Sequence, residues 1–189
     1  MFILLPLLLL ATVPPHNPPP VATVTLGNGK TVTVVGPGPV QWADIVVDWE
    51  LSNLAYSPDH KFAAVQFTFS VAKGYNSAIY LVRPDGSTFR LASDTVFSIE
   101  WTSDSKYILG FGGNTLRLWN LNGGLKQLTV SSIDKHNLVG NKIYLEVPTF
   151  GSDGCQNGEW LRAYSIPSLK QLSSAPVPFT KNEGCGIQR

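Results

Sequence analysis

The sequence predicts an all-β chain made of small antiparallel sheets that recur along its length. Three observations carry this. A stretch near residue 53 reappears 45 positions later with the same chemistry. Only 14% of residues are charged, while Gly, Pro, Thr, Ser and Asn abound, a composition that suits strands joined by tight turns. Short β-branched or aromatic runs alternate with turn residues from Val21 onward.

The first twenty residues read differently from the rest. Phe2 to Ala11 (FILLPLLLLA) are too few to span a bilayer as a helix and match the apolar region of a secretory signal. No Lys or Arg precedes them, and Pro6 interrupts them. The other reading is a short buried N-terminal strand. Pro14–Pro20 (PPHNPPP) favours an extended, semi-rigid spacer. The expectation is therefore a signal-like segment and spacer over 1–20, a single β domain over 21–189, and a periplasmic or secreted protein that meets the membrane only through export.

Val21–Leu26 and Thr31–Val35 flank Gly27-Asn28-Gly29-Lys30, which marks a hairpin. Gly27–Thr31 superficially resembles the end of a phosphate-binding loop, but a strand follows it instead of the required helix.

The repeat comes next. Tyr56, Ser57, Asp59, Lys61 and Phe62 match Trp101, Thr102, Asp104, Lys106 and Tyr107 at one offset. Ala78–Leu91 aligns with Thr115–Leu128, and a fainter third copy starts at Asn137. Each copy reads as four strands. The first has Leu51–Tyr56, Phe62–Ser70, Ser77–Arg83 and Thr88–Ala92. The second has Val96–Trp101, Tyr107–Phe111, Thr115–Asn120 and Lys126–Val130. The third has Asn137–Val139, Ile143–Val147, Glu159–Ile166 and Lys170–Ser173. Pro58 presets φ in the Ser57-Pro58-Asp59 turn, and Asp59 accepts from the backbone that follows. Asp85-Gly86 and Gly123-Gly124 supply positive φ.

At Tyr56-Ser-Pro-Asp-His-Lys-Phe, and again at Ile79-Tyr-Leu-Val-Arg-Pro-Asp-Gly-Ser with Arg90-Leu91, the chain resembles TolB-type and WD-repeat β-propellers. The resemblance covers Leu51 to Val130 well and Asn137 to Ser174 poorly. It implies a propeller-like fold of about three four-stranded blades plus the N-terminal hairpin, and it implies no single function. Closed propellers have four to eight blades. Three solutions follow. A composite fourth blade could join the hairpin to a strand near Val177–Phe179, and this is the preferred one. An open arc could pair with a second copy as a homodimer, or the chain could be part of something larger.

Cys155 and Cys185 are the two cysteines, and in an oxidising compartment they are expected to bridge. Closing that loop of roughly thirty residues is worth about 3–4 kcal/mol in the chain-entropy account. No nucleophile motif, zinc motif or acid–base constellation involving His16, His60 or His136 is found, so no catalytic residue, metal or cofactor is expected. The basic residues never adjoin one another and net charge is +1, which gives no electrostatic footprint for nucleic acid.

One segment stands out as a ligand surface. Asp44, Asp48 and Glu50 have even spacing, which on one extended strand points them to one side, and Trp42 and Trp49 flank them. Oxygen ligands there could hold calcium, and the aromatics could stack on a sugar. A second oxygen-rich place, Ser152 to Glu159, reads as a hydrophilic hairpin loop stapled by Cys155. The expected role is an exported, non-enzymatic binding or scaffold module of the cell envelope with a protein partner. The alternatives are an exported hydrolase or lyase on envelope glycan using carboxylates such as Asp44 or Glu50, and an accessory propeller related to larger peptidases.

Peptide mapping without reductant is expected to yield a Cys155–Cys185 cross-linked pair that separates on reduction. Two alkylatable thiols in the secreted protein would refute the bridge.

Overall fold

A computed structural model describes residues 17–42, 44–71, 74–152 and 154–178; the apolar leader, Phe179 and Cys185 lie outside them. The described chain folds into sixteen strands. β1 (Val21–Thr25) and β2 (Thr31–Val35) form the N-terminal hairpin, and β3 (Val40–Trp42) and β4 (Ile45–Val47) a second, shorter one. Blade one holds β5 (Glu50–Tyr56), β6 (Ala63–Val71), β7 (Gly74–Val82) and β8 (Thr88–Asp94). Blade two holds β9 (Ser98–Trp101), β10 (Tyr107–Gly112), β11 (Thr115–Asn120) and β12 (Leu125–Thr129). Blade three holds β13 (Lys135–Val139), β14 (Lys142–Phe150), β15 (Gln156–Ser165) and β16 (Gln171–Pro176). Every blade is an antiparallel meander with its strands in chain order.

The sheets stack face to face in sequence order. On β6, Ala63, Val65, Phe67 and Phe69 turn to the first hairpin and meet Ala22, Val24 and Val34. Ala64 turns the other way, joining Ile79 and Leu81 of β7 against Ile99, Trp101, Ile108 and Trp119 of blade two. Leu109, Phe111, Leu116 and Leu118 then leave the far side of blade two and pack on Ile143, Leu145, Val147 and Tyr164 of blade three. The side-chain period of two thus feeds two cores from one strand, and β6 and β10 are buried on both faces along most of their length.

The repeated turns fold alike. Ser57 Oγ donates to Asp59 Oδ1 at 2.7 Å, and the Lys61 N–H donates to the same oxygen at 3.1 Å. Thr102, Asp104 and Lys106 repeat this at 2.7 and 3.1 Å. His60 and Ser105, one repeat apart, occupy the left-handed region at φ 56° and 60°. The turns also touch, since the Asp59 N–H donates to Ser105 Oγ at 3.1 Å. Trp101 Nε1 donates to the Ala55 carbonyl at 2.9 Å, tying the first strands of blades one and two together.

One expectation needs correction, and one element comes in addition. The composite fourth blade does not form among the described residues. The hairpin covers blade one, whereas the Val177 N–H donates to the Glu159 carbonyl and so prolongs the edge of blade three. The β3–β4 hairpin was not expected. Its strands have three residues each, too few for a readable alternation. Cys155 is not a free thiol, and its expected partner lies outside the described residues.

The stack tolerates little added volume. A Cβ on Gly112 would overlap the Thr95 carbonyl, whereas one on Gly38 would meet nothing within 4 Å. Gly112→Ala is expected to cost at least about 1–3 kcal/mol, as overpacking against backbone does, and Gly38→Ala to be nearly neutral. Thermal melts of the two variants check this; equal melting temperatures would contradict the packing described.

Candidate functional site

The structure buries one of the five residues of the expected ligand surface, Trp49, and leaves Asp44 and Glu50 exposed. Trp49 is 8% exposed, and its ring meets Phe69 edge-on with centroids 4.8 Å apart. Trp42 meets the same Phe69 at 5.5 Å, and its ring lies where a side chain on Gly74 would be. The two indoles close the end of the core between the first hairpin and blade one. The acidic residues are not on one strand. Asp44 falls in the β3–β4 turn, Asp48 in the link to β5, and Glu50 opens β5 opposite Thr68. The chain turns between them, so even spacing does not give a common face. Asp48 accepts from Asn17 Nδ2 at 2.8 Å, while Asp44 and Glu50 are exposed.

A different surface combines a cavity with clustered charge. The outer face of blade three, turned away from blade two, has no sheet packed on it among the described residues. Pairing fixes its members. Lys135 stands opposite Glu146, which stands opposite Leu161; Asn137 stands opposite Tyr144, and Pro148 opposite Glu159. A cavity of about 530 Å³ opens here, lined by Asn137, Val139, Tyr144, Leu161, Lys135 and Glu146, with His136 at its margin. Val139 is 55% exposed and Leu161 36%, so apolar surface faces solvent beside the charges.

Asp134, Glu146 and Glu159 bring carboxylate oxygens within 4.8 Å of one another. Lys135 Nζ bonds Glu146 Oε2 at 2.9 Å, and this holds Glu146 below its ordinary range. Glu159 is pushed up, first by desolvation and then by the neighbouring Glu146 carboxylate; its Oε1 is buried without a partner. The three carboxyls gather around the Lys135 ammonium, and Lys142, opposite Val139, lies farther along the same face. The Glu146 and Glu159 carboxyls lie against each other, whereas glycoside hydrolysis needs two carboxyls flanking a sugar at about 5–9.5 Å.

His136 points to the opposite side of β13. Its ring stacks on Phe111 of blade two at 3.6 Å between centroids, and Nε2 lies 3.5 Å from Glu100 Oε2. The sequence reading passed over Asp134 and Glu146 because their meeting with Glu159 depends on β13–β14–β15 register. Glu159 did lie in the oxygen-rich stretch that read as a hairpin loop.

Comparisons with known proteins bear on the fold alone. No family model matches the chain, and no curated protein matches it. Among solved structures, the acylaminoacyl peptidase of Pyrococcus horikoshii superposes with TM-score 0.54 at 12% identity, over 68% of this chain and 25% of that one. The β-propeller domain of the Trilobed protease from Pyrococcus furiosus gives TM-score 0.49 at 15% identity, over 68% and 42%. A eukaryotic initiation factor gives 0.47 at 18%, over 67% and 34%. The described chain has a propeller-like fold of small antiparallel sheets, and it spans about a quarter of the length of the peptidase that it resembles.

The charge arrangement has a signature in pH. Because the folded state raises the Glu159 pKa above its usual 4.5, ionising Glu159 costs stability, and the cost develops as pH climbs from that value through the raised one. Glu159→Gln is therefore expected to gain on the parent in melting temperature across that window and hold the gain above it. Melts between pH 4 and pH 8 test this; a difference that does not change with pH would remove the carboxylate repulsion from the account.

Proposed function

We propose that this chain is a non-enzymatic, exported interaction module of the cell envelope, organised like a TolB-type or WD-repeat propeller, that binds a protein through the outer face of blade three. The observation that carries this reading is the open sheet face, with its cavity of about 530 Å³ set between Tyr144, Leu161 and the Lys135–Glu146 pair. Sites on strands are held more precisely than sites on loops, and a stacked four-stranded sheet holds this one. Exposed apolar side chains rimmed by charge are the usual make-up of a contact surface.

Export is supported by the apolar run from Phe2 to Ala11 and by a cysteine pair suited to an oxidising compartment. Within this reading the Cys155–Cys185 bridge ties the C-terminal tail to the β14–β15 loop. Envelope glycan hydrolysis through carboxylates such as Asp44 or Glu50 is the weaker reading, since Asp44 sits in the β3–β4 turn and Glu50 opens β5, with no shared strand face between them.

Leu161→Glu puts a charge on the face without touching the buried side. It is expected to lower stability by up to about 1 kcal/mol, as a like charge set opposite Glu146 on a sheet does, and to abolish partner retention from an envelope fraction. Trp42→Phe, at the opposite end of the stack, is expected to keep retention. Loss in the Trp42 variant alone would move the contact surface back to the Trp42–Glu50 segment, and recovery of the full chain only in the cytoplasmic fraction would refute export.

A further inference from the structure

Basic residues that stand singly along the chain meet at one end of the stack. In each blade the strands alternate in direction, so the first and third turns lie at the same end. Contacts between turns show that the first hairpin and blades one and two share this end. The Lys30 ammonium donates to the Asp85 carbonyl, the Asp59 N–H to Ser105 Oγ, and Arg83 Nη2 to the Leu121 carbonyl at 3.2 Å. Among the described residues the carboxylates of these turns are Asp59, Asp85 and Asp104. Each accepts from a hydroxyl and an N–H of its own turn. Lys61 and Lys106 lie 3.7 Å from the Asp59 and Asp104 carboxylates. Lys126, Lys142 and Lys170 are exposed and form no ion pair among the described residues.

At this end the seam between blades two and three opens into two cavities that share Tyr107 and Pro167. The larger, about 450 Å³, is lined by Ser103, Asp104, Lys106 and Asn141 among others. The smaller, about 210 Å³, is lined by Asn120, Leu125 and Lys126 among others. Lys142 follows Asn141, and Lys170 closes the turn that carries Pro167. Further along the same joint the Glu100 carboxylate is occupied by His136 at 3.5 Å.

We propose that this seam binds a linear polysaccharide that carries carboxylates, with neighbouring sugars in the two cavities and Lys106, Lys126, Lys142 and Lys170 along its acid groups. Three features select that ligand. Lysines border the seam from both blades, and three of them lack an ion pair, which complements negative charge. Ser103, Asn120 and Asn141 line the cavities with the hydroxyl and amide groups that sugar hydroxyls bond, and the Tyr107 ring common to both offers an apolar surface with a polar tip. Two adjoining cavities suit a chain of repeating units, whereas a membrane surface would meet the turns but not enter the seam. The seam lies on the inner side of blade three, so it is separate from the contact face proposed above and does not depend on it.

The test titrates the whole chain with oligogalacturonate and with its methyl ester, which keeps the sugars and removes the charge. The acid form is expected to shift the backbone resonances of Ser103, Tyr107 and Asn141. By calorimetry it is expected to bind about tenfold or more tightly than the ester, as charge-assisted hydrogen bonds allow. The Lys126→Gln, Lys142→Gln double variant is expected to lose that advantage. The Lys30→Gln, Lys61→Gln double variant, which removes the same charge from the first hairpin and blade one, is expected to keep it. Melts check that both variants fold. Equal losses in the two variants reduce the effect to general charge attraction and overturn the proposal. So do equal affinity for the ester and a failure of the acid form to bind. Tighter binding of hexaglutamate, or of phosphatidylglycerol vesicles, assigns the lysines to an acidic peptide or a membrane and overturns it as well. Leu161→Glu is expected to leave oligogalacturonate binding unchanged. If oligogalacturonate fails while Leu161→Glu still abolishes retention of the envelope partner, the interaction role stands and only the seam proposal is lost.

Discussion

Everything in this fold depends on sheets burying each other. A single hairpin or a lone blade cannot cover its own apolar side chains, and two or three strands are marginal in water. β6 and β10 resolve this by being buried on both sides. Phe67 serves one core and Ala64 the other; Leu109 serves one and Ile108 its neighbour. Losing one sheet would therefore expose the next, so the units cannot be treated as independent domains. The polar contacts across the joints are secondary in energy but specific in geometry. Arg117 on Asp94, Trp101 on the Ala55 carbonyl and Asp59 on Ser105 each fix how one sheet is set against another.

The repeat was readable because the turn between the first two strands of a blade has a mechanism encoded in side chains. A hydroxyl, an Asp two residues on and a left-handed residue after it are demanded by the hydrogen bonds themselves, and both copies carry them 45 residues apart. Blade three was faint for the same reason. Its first two strands join through Gly140 and Asn141 alone, with Gly140 at φ 58°, so no Asp-centred turn is needed. The strands β14 and β15 run to nine and ten residues and give that blade its different outline. The β3–β4 hairpin left no signal because three-residue strands are shorter than any useful window.

The site was less legible than the fold. Trp42, Asp44, Asp48, Trp49 and Glu50 look like a surface on a line of text because charge and aromatic residues alternate there. In space, the indoles are needed to seal Phe69, and the carboxylates are split by turns. Asp134, Glu146 and Glu159 are separated by twelve and thirteen residues and acquire meaning only when three strands take their register. Nothing local marks them. A search of the sequence for clustered acids finds neighbours along the chain and passes over this group, since closeness along the chain and closeness across a sheet are unrelated once strands are longer than a few residues.

The outer face of blade three also shows why charge belongs at the end of such a stack. An open apolar sheet face invites indiscriminate association, and natural sheet proteins blunt such surfaces with charged side chains. Lys135, Glu146 and Glu159 do this where Tyr144, Val139 and Leu161 would otherwise form an uninterrupted apolar floor. Among the described residues the inner faces carry no comparable group, because a carboxyl cluster between two blades would be desolvated with nothing to neutralise it. Arg117 and Asp94 enter a joint only as a pair.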